Sequence, residues 1–264
     1  MNISTISARL AGLPTGQVRY FDVIGSTNDE ALSWAAAGAT DGCLVVADQQ
    51  IRGRGRLGRR WFTAPGAGLA FSLVLLPDPT EQAKIGSFSA LGALAVCQAI
   101  ETMAGVSAQI KWPNDILLQR KKTAGILVEA NWLGEEMQSL VIGIGVNITA
   151  EAVPPPGELL FPATSVEEVA GKQVDRLDFL RAILQGIYDW RAVLNEDAFQ
   201  SAWEERIAFK GEWVRIENAA NPASGESLTG QIIGLDDSGG LVLRTSSGKN
   251  IRAAVGDLTL RLIH

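Results

Sequence analysis

Ile51-Arg52-Gly53-Arg54-Gly55-Arg56-Leu57-Gly58-Arg59-Arg60-Trp61 sets five arginines within nine residues and threads three glycines among them. Arginine loses side-chain entropy when ordered and repels neighbours of like charge. A cluster this dense, on so free a backbone, points to a loop built to meet an anion. The segment contains Gly53-x-Gly55-x-x-Gly58, formally a dinucleotide fingerprint. That motif needs a helix opening directly behind it, so that a pyrophosphate meets the helix N-terminus. Here Arg59-Arg60-Trp61-Phe62-Thr63-Ala64-Pro65-Gly66 follows, which is no helix start. The chain has neither a Gly-x-x-x-x-Gly-Lys-Ser/Thr element nor a kinase His-Arg-Asp element, which excludes P-loop and kinase chemistry. A solvated basic loop, a nucleic-acid patch and a mobile phosphate clamp remain. In the clamp, glycines let backbone amides approach oxygens while guanidinium groups bind them in pairs.

The surroundings of this loop are acidic. The 264 residues carry a net charge of −6, so the arginines form a local site rather than one face of a general nucleic-acid binder. Hydrophobic residues make up 47% of the chain, enough for a sizeable core. Two separated cysteines, Cys43 and Cys97, give no disulfide framework. The single histidine, His264, is terminal, which excludes a histidine-based triad and a structural zinc site. With no signal peptide or membrane span legible, the expected compartment is the cytoplasm.

Outward from the loop, periodicity and turn residues predict short helices over residues 4–12 and 27–37. The second is capped at Thr27 with Glu30 at capping-box spacing. Strands are expected at 17–23, 43–48 and 68–76, and a long small-residue helix at 83–104. Strands at 108–112, 115–119, 123–132 and 138–148 follow in close succession, with Arg120-Lys121-Lys122 as a hairpin turn. Pro154-Pro155-Pro156-Gly157 marks an irregular crossing, and 175–207 reads as two helices. From Gly211 the texture changes to short strands at 212–216, 227–235, 240–245 and 250–255. Asp236-Asp237-Ser238-Gly239-Gly240 supplies one hairpin turn, and the whole suggests a small barrel domain with a boundary near 208–211.

Two further motifs carry chemistry. In Lys111-Trp112-Pro113-Asn114-Asp115, proline holds Trp112 extended and Asn114-Asp115 falls where a strand breaks. A carboxylate flanked by a lysine and a large aromatic suits magnesium or an amine. Gly143-Ile144-Gly145-Val146-Asn147 is an apolar strand with two glycines, which mark either tight strand packing or close approach by another group. Lys121 and Lys122 precede Thr123-Ala124-Gly125-Ile126, and turn lysines alone are usually only solubilising.

The order of these elements decides the reading. Ser26-Thr27-Asn28, then Gln50, the arginine loop, Lys111-Trp112-Pro113-Asn114-Asp115, Lys122-Thr123-Ala124-Gly125-Ile126, and Gly143-Ile144-Gly145-Val146-Asn147 together resemble the biotin protein ligases from about residue 20 to 150. The segment from Gly211 resembles that family's small C-terminal domain. The resemblance implies an α+β fold. Its catalytic core over 1–209 would be a mixed, largely antiparallel sheet with flanking helices, as in the class II aminoacyl-tRNA synthetases. An SH3-like barrel over 210–264 would follow.

It also implies an activity. Such enzymes join biotin to ATP, giving biotinyl-5′-AMP and pyrophosphate, and pass the biotinyl group to one lysine of a carboxylase's biotin carboxyl carrier domain. By the family's pattern, Ser26, Thr27, Asn28 and Gln50 line the biotin pocket, and Arg54, Gly55 and Arg56 close over biotin and the phosphates. Lys122 contacts the carboxylate and then the α-phosphate. Lys111, Trp112, Asn114 and Asn147 lie by the nucleotide, and Asp115 orients Mg2+ or the incoming amine. Twenty-five of the chain's residues stand before Ser26, too few for the DNA-binding domain some members carry, so no DNA partner is expected. No membrane partner is expected either, and a homodimer through sheet edges is possible in this family. Arg52 has no counterpart role.

Two rivals stand beside this reading. A lipoate or octanoyl ligase or transferase shares the core, but an octanoyl transferase needs a cysteine nucleophile. Cys97, within an apolar helix, reads as structural. A phosphate- or RNA-binding module with a small barrel would show no turnover.

Overall fold

The computed structural model describes residues 1–155, 157, 159, 161–218, 227–254 and 258–263. Pro156, Val255 and His264, which enter the expectations above, lie outside the described residues. The helices are α1 (Ile3–Arg9), α2 (Thr27–Ala36), α3 (Pro79–Gln82), α4 (Phe88–Ala104), α5 (Val166–Ala170), α6 (Arg176–Ala192) and α7 (Asp197–Glu205). The strands are β1 (Val18–Ile24), β2 (Leu44–Gln50), β3 (Gly68–Leu75), β4 (Gln109–Lys111), β5 (Asp115–Leu118), β6 (Lys121–Leu133) and β7 (Glu136–Asn147) in one sheet. β8 (Trp213–Asn218), β9 (Ser227–Leu235), β10 (Leu241–Arg244), β11 (Asn250–Ala253) and β12 (Leu258–Leu262) form another.

The first sheet runs β1-β2-β3-β7-β6-β5-β4. Only β1 and β2 are parallel, because α2 connects them; every other neighbour in it is antiparallel. The second sheet runs β11-β10-β9-β8-β12 and is antiparallel throughout. The α+β class and mixed sheet therefore match the expectation.

Alternation along β7 assigns the two faces of the large sheet. Ile142, Ile144 and Val146 point into the main core, and Ile142 reaches Gly92 of α4. Val141 points the other way and packs with Val45, Val74, Ala31 and Trp34 beneath α2. Gly143 and Gly145 share that second face. By length and composition Ile85–Ala104 could cross a membrane, but it is 67% buried and serves as the core helix.

Several boundaries moved for local reasons. The cap of α2 is Ser26, not Thr27: the Ser26 side chain accepts from the Asp29 amide, and Thr27 is already helical. The expected helix over 83–104 starts later, and a separate short helix, α3, stands before it. Asp78 caps a first turn that opens on Pro79, and α4 begins only at Phe88 after a tight turn at Ile85–Ser87. The β5–β6 reversal rests on Gln119 and Arg120, whose φ values are 46° and 65°. Lys121 and Lys122 therefore belong to the strand rather than to the turn. α3, α5 and β12 have no counterpart among the expected elements.

Candidate active site

A row of residues crosses the large sheet. Lys111 of β4 lies opposite Asp115 of β5, Asp115 opposite Gly125 of β6, Gly125 opposite Gly145 of β7, and Gly145 opposite Ala70 of β3. Directly opposed residues in antiparallel strands share a face. The row is thus a shallow trough floored by Gly125, Gly145 and Ala70, with a carboxylate and an ammonium at one end. Trp61 lies in it: a Cβ on Gly145 would stand 2.7 Å from the Trp61 Cζ2, and one on Gly125 would stand 3.1 Å from its Cζ3.

Lys122 reaches the same face through a bulge. Ile116 pairs with Ala124, but Leu117 pairs with Lys122, which leaves Thr123 as an extra residue. With an unbroken period of two, Gly125 and Thr123 would face the trough and Lys122 would face away. The bulge turns Lys122 over. Its backbone is then held from the outer side, its N–H donating to Pro162 O at 2.7 Å and its carbonyl accepting from the Thr164 N–H at 2.9 Å. Lys122 Nζ donates to Asp115 Oδ1 at 2.6 Å, and Lys111 Nζ is 3.8 Å from Asp115 Oδ2. Burial raises the Asp115 pKa, but the two lysines outweigh it and hold the carboxyl below its ordinary value. Burial pushes the Lys111 ammonium down, against the pull of Asp115. Lys111 also stands 4.7 Å above the Phe161 ring.

The next row holds Leu127, Gly143 and Ser72. Over it sits the polar cluster that opens α2. Thr27 donates its N–H and hydroxyl to Gln50 Oε1 at 2.8 and 3.1 Å, and the Ser72 hydroxyl lies within hydrogen-bond reach of two acceptors, Thr27 Oγ1 at 2.8 Å and Asn28 Oδ1 at 2.5 Å. Ser26, Thr27 and Asn28 are all buried. Gly143 is needed here, since a Cβ would lie 2.7 Å from Asn28 Cγ. The cluster is neutral and rich in both donors and acceptors.

The arginine loop folds back as a narrow hairpin. Arg54 bridges to Arg60, the Gly55 N–H donates to Arg59 O at 2.7 Å, and the Trp61 N–H donates to Gly53 O at 2.9 Å. Gly58, with φ 69°, permits the turn. The arginines do not act as one patch. Arg54 binds Glu129 bidentately at 2.8 Å and Asp29 at 2.7 Å, and its hydrogen bonds to Glu129 raise its pKa further. Glu129 also accepts from Asn28 Nδ2 at 2.8 Å, tying the loop to the polar cluster. Arg56 reaches across to Asn114 Oδ1 at 3.1 Å. Arg52, without a role in the sequence, lies over Gly25 and donates its N–H to Gly25 O at 2.8 Å.

Ser26, Thr27, Asn28 and Gln50 thus form one cluster, and Lys111, Asp115 and Lys122 another. Arg54, Gly55, Arg56 and Asn114 lie on the loop and turn between them. Asn147 donates to Thr164 O at 3.1 Å, on the segment that pairs with Lys122. Trp112 departs from its expected place beside a nucleotide: its ring is buried, 1% exposed, and its indole N–H donates to Gly239 O. Glu129, Asp29, Ser72 and Trp61 belong to the site without having been singled out. A carboxylate among apolar residues in 123–132 was the available signal for Glu129. Ser72, within an unbroken apolar strand, was the signal for a buried hydrogen-bonding partner.

Among the described residues no three histidine, cysteine or acidic side chains gather into a metal site. Asp115 is taken up by two ammonium groups, so the donor set suits an amine or a phosphate and not a protein-held cation.

Comparison with known proteins places this geometry. Residues 20–147 match the biotin/lipoate A/B protein ligase family, and residues 222–259 match the biotin protein ligase C-terminal domain. The biotin--[acetyl-CoA-carboxylase] ligase of Paracoccus denitrificans is 37% identical over 86% of this chain and 93% of its own length. The bifunctional ligase/repressor BirA of Bacillus subtilis is 38% identical over 87% of this chain and 70% of its own. The biotin protein ligase from Aquifex aeolicus, solved in complex with biotin and ATP, superimposes with a TM-score of 0.79 at 30% identity, covering 94% of this chain and 99% of that one. The chain belongs to the biotin protein ligases.

Proposed function

We propose that this chain is an ATP-dependent biotin protein ligase. It activates biotin as biotinyl-5′-AMP with release of pyrophosphate, then transfers the biotinyl group to a lysine of a biotin carboxyl carrier protein. Residues 1–209 carry the chemistry and residues 210–264 form the companion domain. The observation that carries this reading is the placement of Lys122 beside Asp115, at the end of a glycine-floored trough, next to a neutral polar pocket.

The first step must bring a carboxylate to the α-phosphorus of a polyanion. A carboxylate oxygen bonds to that phosphorus as its bond to the bridging oxygen breaks, and pyrophosphate leaves. Negative charge builds on the α-phosphate oxygens, so cations fixed in advance lower the barrier. Lys122 and Arg56 supply them, with Arg54 closing the loop over the pocket. Ser26, Thr27, Asn28 and Gln50 suit a neutral ureido ring, because amides and hydroxyls donate and accept without placing a charge near an apolar tail. Lys111, Asn114 and Asn147 border the nucleotide. Magnesium would enter as part of the MgATP substrate, where it would shield the charge of the phosphates.

In the second step an amine attacks the acyl carbon and AMP departs. With its pKa lowered, Asp115 is a poor proton acceptor near neutrality, and its part is to orient the carrier's lysine. The intermediate is a mixed anhydride, and the loop over the trough keeps water from it.

The test is incubation with biotin, MgATP and a biotin carrier domain. Biotin-dependent pyrophosphate release and a mass gain on one carrier lysine are expected. Turnover with lipoate or octanoate in place of biotin, or none with any acid, would overturn the reading.

A further inference from the structure

Asn114 and Asp115 close the Trp112–Asn114 turn between β4 and β5. β6 holds the Asn114 side, the Ile126 N–H donating to Asn114 O at 2.9 Å and Asn114 Nδ2 donating to Ile126 O at 3.0 Å, while the Trp112 side is fixed from outside the catalytic sheet. Trp112 is fully enclosed and donates its indole N–H to Gly239 O at 3.1 Å. Gly239 lies in the turn between β9 and β10, in the second sheet, with φ 80°. A Cβ there would overlap the ring of Trp203 in α7. Asp236 shapes the same turn, its Oδ1 accepting from the Ser238 amide at 2.9 Å, the Ser238 hydroxyl at 2.7 Å and the Gly240 amide at 2.9 Å. Gln200 of α7 donates to Asp236 O at 2.9 Å. Below, Ser89 Oγ donates to Pro113 O at 3.1 Å, and Ile110 of β4 exchanges backbone hydrogen bonds with Arg206 and Ala208 at 2.7 and 2.9 Å.

We infer that Trp112 is a positioning residue, and that the 236–240 turn of the C-terminal sheet, bonded to its indole N–H, sets the Trp112 side of the turn that carries Asn114 and Asp115. A directional bond from a buried donor to a carbonyl locates the turn in a way apolar packing alone does not. Through Trp112 the companion domain then shapes the active site by way of a side chain that itself touches no substrate. This inference rests on the ligase reading for its kinetic consequence, though not for the contact itself.

Trp112→Phe keeps a large aromatic ring and removes the donor. Asp236→Ala loosens the turn from the far side. Each should lower kcat for biotin-dependent pyrophosphate release on the order of tenfold or more and raise KM for ATP. Biotin affinity should stay within about twofold, since that pocket lies on α2 and β2. The double variant should be no worse than the more impaired single variant, because both act through one contact. Hydrogen exchange at residues 112–116 should quicken in both. Wild-type kcat and KM in the folded single variants would overturn the inference, as would losses that multiply in the double variant. Should wild type release no pyrophosphate, the ligase reading fails on its own. The contact is then judged by exchange, and unchanged protection at 112–116 in Asp236→Ala would overturn it.

Discussion

The Trp61 ring occupies the space above Gly145 that a side chain would fill, with Cζ2 at 2.7 Å from the position of a Cβ. Trp61 ends the arginine hairpin and Gly145 lies mid-strand, so this contact seats the loop on the sheet. Gly145→Ala should unseat it. The added methyl leaves the backbone hydrogen bonds of β7 intact but cannot coexist with the ring where it stands. Proteolysis between residues 52 and 60 should accelerate several-fold while the melting temperature changes little. Equal cutting in variant and wild type would show that Trp61 does not hold the loop.

Glu129 anchors the loop at its other end. It accepts two hydrogen bonds from Arg54 and one from Asn28, so charge and polar cluster meet in one carboxylate. Glu129→Gln keeps the shape and removes the charge. A paired hydrogen bond to a charged group contributes about 1.5–3 kcal/mol, against less for a neutral one. Cutting within 52–60 should rise, and KM for biotin should rise with it. A change in one without the other would mean that loop and pocket are not coupled through this residue.

How far the sequence carried is clear at particular residues. Gly53, Gly55 and Gly58 announced a loop and not a helix, and the motif order placed Gln50, Lys122 and Asp115 in one site. The two glycines marked β7 as a place of tight packing or close approach, but not which group would rest on Gly145. Thr123 gave no sign of its bulge, because a bulge is a property of how two strands pair, and the sequence showed the two strands but not their register. Lys122 therefore read as a turn lysine. Trp112 read as a neighbour of the nucleotide, and its partner Gly239, 127 positions away, was out of reach of any local pattern. Arg54 read as an anion ligand since Glu129 and Asp29 are brought to it only by tertiary folding.

The Asp115–Lys122 pair predicts a pH dependence. The folded pKa of Asp115 is lowered, so the pair's stabilisation is full above the unfolded carboxylate value of about 4 and disappears as pH falls through the still lower folded value. Lys122→Met leaves a buried carboxylate with Lys111 as its remaining close partner, 3.8 Å away. The variant should be less stable by up to about 3 kcal/mol at neutral pH. That gap, measured by urea unfolding, should narrow below about pH 4 as Asp115 takes up its proton. A gap that stays constant from pH 7 to pH 3 would mean that the loss comes from packing and not from the ion pair.

Gly143 sets the floor beneath Asn28, and Gly143→Ala is a test of the biotin pocket alone. A methyl there lies 2.7 Å from Asn28 Cγ and breaks the Ser72–Asn28 hydrogen bond by displacement. Overpacking costs about 1–3 kcal/mol, roughly one to two orders of magnitude in affinity if it falls on binding. Biotin titration should weaken on that scale while ATP binding holds. Equal weakening of both ligands would point to general unfolding of α2.

In the proposed mechanism, Arg56 and Lys122 divide the chemistry between retention and rate. Arg56 spans from the loop to Asn114 at 3.1 Å, so it closes the trough over whatever lies between. Lys122 sits deeper, beside Asp115. Lys122→Ala should lower the rate of pyrophosphate release on the order of 10²-fold or more, because a fixed charge facing the α-phosphate acts mostly in the transition state. Arg56→Ala should slow that step less but let the adenylate escape, measured as free biotinyl-5′-AMP and its hydrolysis products when no carrier is present. The two variants therefore separate by where the biotinyl group accumulates. Tight retention in Arg56→Ala would remove the clamp role from the loop, and near-normal pyrophosphate release in Lys122→Ala would remove the charge-stabilising role from the strand.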